Sequence, residues 1–129
     1  MTVKRWNPET VAKPLAYYSH LAEAPAGARV VAMAGQVGNR LDGSIPEAVE
    51  DQFEQALTNI VALAGAAGGD QSSVMKLMVL LTQPPTDFPR IGAAMEKAFP
   101  GDKPAMTWIY VAALARPNLK VEIDVTLAV

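Results

Sequence analysis

A chain of 129 residues, half of them apolar and 19% charged, is long enough to bury one domain's core and too apolar to be disordered. A net charge of −2 with both signs interspersed advertises no surface for nucleic acid or anionic membrane, and the lack of cysteine excludes disulfides and thiol catalysis. One histidine among scattered carboxylates makes no transition-metal ligand set, and no cofactor is implied.

Residues 1–16 read as a loop-rich arm, broken by Pro8 and Pro14, with a short edge strand around Val3–Trp6. Lys4, Arg5 and Trp6 run into Asn7-Pro8 instead of an apolar segment, so no signal peptide is expected, and no run nears the roughly 20 apolar residues of a membrane span. The expected location is cytoplasmic. Tyr17–Leu21 is the first longer strand expected, and Arg29–Val37 reads as a strand covered on both faces. Ser44-Ile45-Pro46-Glu47 is a capping-box helix start, with Ser44 as the cap. Val49, Phe53, Ala56, Leu57, Ile60, Leu63, Ala64 and Ala67 follow at helical spacing, and Gly68-Gly69 stops the helix.

Val74–Leu81 is the next strand, ended by Gln83-Pro84-Pro85. Asp87–Phe99 is a second amphipathic helix, capped by Thr86 or Asp87, with Phe88, Ile91, Met95 and Ala98 inward. Thr107–Val111 and Lys120–Val129 complete the strands, and Arg116-Pro117-Asn118 reads as a hairpin turn between them. In the last strand Val121, Ile123, Val125, Leu127 and Val129 share one face; Glu122, Asp124 and Thr126 share the other. The fold class is α+β: a mixed sheet of about six strands with two helices on one face, in a single domain over residues 1–129. Two helices cover only one sheet face, so the apolar second face calls for further copies of the chain.

Several segments, in order, carry a resemblance. Tyr17-Tyr18-Ser19-His20, Ala34-Gly35-Gln36, Gln55-Ala56-Leu57-Thr58-Asn59-Ile60, Val74-Met75-Lys76, Lys103-Pro104-Ala105 and Val121-Glu122-Ile123 together resemble the YjgF/RidA family over nearly the whole chain. The resemblance implies a chorismate-mutase-like fold, a homotrimer and small-molecule sites in the clefts between subunits. In the family's imine deaminases an arginine holds the substrate carboxylate and a glutamate helps a water attack the imine carbon. Carried over, the catalytic positions are Glu122 and Tyr18, and the substrate-binding positions are Met106, Trp108, Gly92 and Gly35. Met106 stands where the family has its arginine, Trp108 where it has a small residue, and Gly92 where it has an asparagine.

Alternation puts Met106 and Trp108 on one strand face, so both substitutions change the same wall. Methionine and tryptophan cannot anchor a carboxylate as a bidentate arginine does. Burial beside Trp108 would raise the Glu122 pKa and suit it to acid–base work. His20 reads as an ordinary polar residue, Ser19 has no base within reach, and Gly35 serves close packing. The expected activity is therefore binding of, or water addition to, a small carbonyl, imine or enamine compound. The alternatives are a non-catalytic ligand-binding trimer, or a deaminase whose anchor is rebuilt from Lys120, Arg116 or Arg40. A ribonuclease is disfavoured by the acidic balance.

Overall fold

The computed structural model describes residues 2–129. Its elements are β1 (Lys4–Trp6), β2 (Leu21–Glu23), β3 (Val30–Val37), α1 (Val49–Ala66), a 3₁₀ turn (Gln71–Ser73), β4 (Val74–Leu81), α2 (Phe88–Ala98), β5 (Ala105–Tyr110) and β6 (Val121–Ala128). The α+β arrangement with two helices is as expected, but the six strands divide. A four-stranded mixed sheet runs β3-β6-β4-β5, and β1 pairs with β2 in a separate antiparallel ribbon. Only β4 and β5 are parallel. They are joined through α2, the crossover that a parallel pair requires.

The helices pack on one sheet face. Phe53, Ile60, Leu77, Val79, Met95, Phe99, Ile123 and Leu127 are fully buried between the layers. The other face is left open by this chain: Val30 is 72% exposed, Met78 37% and Ile109 41%. The β3 strand, expected to be covered on both sides, packs Val31 and Met33 on the core and leaves Val30, Ala32 and Ala34 exposed.

Four local expectations fail for physical reasons. Tyr17–His20 is not a strand, because its backbone groups are taken by loops: Ser19 N–H donates to Pro104 O and His20 N–H to Asn7 Oδ1. Ser44 does not cap α1; it folds onto Asp42, and the helix starts after Ala48 without a side-chain cap. Leu63 and Phe88 are not buried in the core: Leu63 is 40% exposed, and Phe88, 53% exposed, stands at a cavity rim against Trp108. Arg116–Leu119 is a turn, closed by Leu119 N–H on Arg116 O, but it joins strands that pair through β4 instead of with each other.

Glu50 is the cap that the sequence pattern conceals. Its buried carboxylate bonds its own backbone N–H in the first turn of α1. It also accepts from Thr86 N–H (2.7 Å), Thr86 Oγ1 (3.1 Å) and Asp87 N–H (3.1 Å), just before α2. These bonds hold its pKa below the ordinary glutamate value, its own N–H contributing most. A carboxylate with a depressed folded-state pKa stabilises the fold above the unfolded-state pKa and ceases to do so as pH falls through the folded one. Glu50→Gln should therefore flatten the acid limb of a stability-versus-pH curve followed by urea unfolding, while lowering stability near neutral pH.

Candidate functional site

Register decides what each strand presents. Trp108 lies in line with Val79 and Ile123, and Met106 with Leu77 and Val125, so both face the helix side. Tyr110 follows by the same alternation. Met106, Trp108 and Tyr110, with Phe88, Ile91 and Met95 of α2 and the loop Leu15–Tyr18, enclose a cavity of about 490 Å³. That volume falls within the roughly 300–1,000 Å³ range typical of small-molecule pockets. Trp108 has two aromatic neighbours, Phe53 with its centroid 5.7 Å away and Phe88 at 6.4 Å, both rings tilted to its own.

The Tyr18 loop is shaped by side-chain bonds. Tyr18 Oη accepts from Leu15 N–H at 3.1 Å, which leaves its own O–H free to donate. His20 stacks edge-on to Tyr18, its centroid 5.6 Å away, and its Nε2 pairs with Ala12 O. It stays outside the cavity. Gly92 is buried beneath Tyr17, and a Cβ there would collide with the Tyr17 ring and hydroxyl. Its lack of a side chain seats that tyrosine against α2.

Glu122 and Gly35 lie elsewhere. Glu122 aligns with Leu80 and Leu80 with Ile109, on the open face of the sheet. A Cβ on Gly35 would stand 2.6 Å from Glu122 Oε2, so glycine is what lets this carboxylate lie across β3. The β3 register shifts between Met33 and Gln36, beside that contact. Trp108 and Glu122 of one chain are thus on opposite sheet faces, and the expected burial of Glu122 beside its own Trp108 does not occur.

Of the six residues carried over, Tyr18, Met106 and Trp108 line one cavity, Gly92 backs it through Tyr17, and Gly35 and Glu122 form a second group. Sequence reasoning missed Phe88, Ile91, Met95 and Tyr110 as cavity walls. Tyr110 was within reach, since it is two residues beyond Trp108 on the same strand. None of the three substitute cations lines the cavity: Lys120 Nζ donates to Glu47 O, Arg40 donates to Ser44 Oγ, and Arg116 is exposed. A second cavity of about 440 Å³ lies between α1 and α2, away from all six residues.

Among the described residues no helix is long and apolar enough to cross a membrane. Residues 9–129 match the family described as Endoribonuclease L-PSP. The chloroplastic Reactive Intermediate Deaminase A of Arabidopsis thaliana is 40% identical over 80 residues, covering 62% of this chain and 42% of that one. The 2-iminobutanoate/2-iminopropanoate deaminase of Dermatophagoides farinae is 30% identical over 114 residues, 87% of this chain and 85% of that one. The solved structure of YyfB from Yersinia pestis, a protein of unknown function in the conserved Rid family, has a TM-score of 0.87 at 28% identity, with both chains covered in full. Matched along its length in sequence and in fold, the chain belongs to the YjgF/RidA family.

Proposed function

We propose that this protein is a homotrimer that binds a small carbonyl, imine or enamine compound without a carboxylate, in a cleft between neighbouring subunits. One observation carries the reading: the wall bearing Met106 and Trp108 brings no cation to the cavity. A carboxylate placed there would forfeit several kcal/mol of hydration with nothing to replace it. Deaminase names among the relatives support the reaction class, imine and enamine chemistry. The cavity argues for a changed substrate.

The second copy enters through the split site. Glu122 cannot reach its own chain's cavity through the sheet, so its role there requires the open face of one subunit to seal the cavity mouth of the next. That contact is heterologous, and three such contacts close a ring. It also covers Val30, Met78 and Ile109, and the exposed rim of Leu15, Tyr17, Phe88 and Tyr110. In the closed cleft Glu122 takes a proton from water as the oxygen bonds to the imine carbon, with the Tyr18 hydroxyl donating a hydrogen bond to the bound compound. Glu122 returns that proton to the nitrogen, and the tetrahedral adduct expels the amine as its hydroxyl gives up a proton and the carbonyl forms.

A binding protein without turnover is the second reading, favoured because, among the described residues, no carboxylate, histidine or lysine lines the cavity of the single chain. Saturating ligand would then raise the midpoint of unfolding without being consumed.

Size-exclusion chromatography with light scattering should return the mass of three 13.7 kDa chains. An Ile109→Glu change on the open face should shift that mass towards the monomer. Ammonia release from freshly generated 2-aminoacrylate and 2-iminopropionate should stay at the uncatalysed background for wild type and Glu122→Ala alike. Glu122-dependent turnover of either compound would overturn the reading and point to a cation delivered by the neighbouring subunit.

A further inference from the structure

Five of the chain's eight aromatic residues, Tyr17, Tyr18, Phe88, Trp108 and Tyr110, line the one cavity built on Met106. Phe88 and Trp108 meet at 41° with centroids 6.4 Å apart, making two adjoining ring walls. Among the described residues no charged side chain lines this space. The nearby feature that would favour an anion is already occupied. At the N-terminus of α2, Asp87 accepts from Arg90 N–H, and Glu50 takes the N–H groups of Thr86 and Asp87.

Ring faces carry the negative part of the aromatic quadrupole, so a space walled by them attracts cations and repels carboxylates. A primary ammonium is strongly hydrated and would lose more than these walls return. An N-alkylated nitrogen spreads its charge over carbon, sheds water readily, and offers alkyl surface to Ile91 and Met95. We propose that the cavity is an aromatic cage for an N-alkylated ammonium or iminium ion that carries no carboxylate. This deepens the proposed function and rests on its placing of the ligand in this cavity.

The test is calorimetric titration of the native oligomer with three molecules of near-identical shape: choline, 3,3-dimethylbutan-1-ol and 3,3-dimethylbutanoate. Choline should bind roughly tenfold or more tightly than the neutral alcohol, and the carboxylate should bind weakest. The preference should collapse towards parity in Trp108→Leu. It should also fall in Phe88→Leu, which keeps an apolar side chain at the rim, with light scattering confirming that the oligomer is retained. Equal binding of choline and the alcohol would overturn the cage while leaving an apolar ligand site intact. Binding by none of the three would overturn both the cage and the ligand site, and a preference for the carboxylate would reveal a cation supplied by a partner.

Discussion

Everything on the helix side of the sheet depends on how the start of α1 grips the start of α2. Three carboxylates from the first turns of α1 do this. Glu50 binds the backbone ahead of Phe88, while Asp51 and Glu54 pair with Arg90 at 2.7 and 3.0 Å. The Arg90 pairs are solvent-exposed and add little by themselves. Glu50 differs because it is buried, and because its partners are backbone donors that have no helical acceptor. Negative charge at both helix N-termini also interacts favourably with both macrodipoles at once. The angle of α2 that follows sets Phe88, Ile91 and Met95 against Trp108, and thereby the shape of the cavity.

A second buried polar group fixes the other end of the sheet. Gln52 is fully buried; its Nε2 donates to Pro46 O and Asn118 O, and its Oε1 accepts from Lys120 N–H. With all three bonds made, the side chain ties the loop before α1 to the loop before β6 without an unsatisfied atom. Gly38 makes room for it, since a Cβ there would lie 2.5 Å from Gln52 backbone atoms that cannot swing aside. Through this tether β6 enters the sheet in the register that turns Val121 and Ile123 to the core and Glu122 to the open face.

Legibility in the sequence followed the range of the interactions. The β4 strand and α2 were readable to within a residue at each end, because proline, glycine and a capping aspartate mark them locally. The start of α1 was misplaced because Ser44 satisfies the local pattern of a cap, whereas Glu50 acts on groups some 36 residues away. Tyr17–His20 looked like a strand because its paired tyrosines favour one, yet no neighbouring strand offers its ladder. As for the site, alternation alone placed Met106 and Trp108 on one face, as observed. What alternation could not supply was that Glu122, on another strand, has the opposite parity across β4. The Leu80 alignment with both Ile109 and Glu122 is a fact of register, which needs three strands in place at once.

That parity bears on what family membership can and cannot decide. The match over residues 9–129 reflects a fold held by glycines, buried polar tethers and core apolar residues, which constrain chemistry very little. The proposed ligand site depends instead on a few side chains on β5, where one strand face carries Met106, Trp108 and Tyr110 together. An arginine at position 106 would project from that face into the same space as the Trp108 and Phe88 rings. Its guanidinium would stack on them and neutralise the negative potential they create. Arginine and a ring-walled cavity therefore favour opposite ligands. On the proposed function, Met106 and Trp108 act together as one change of ligand charge, made on a scaffold that did not have to move.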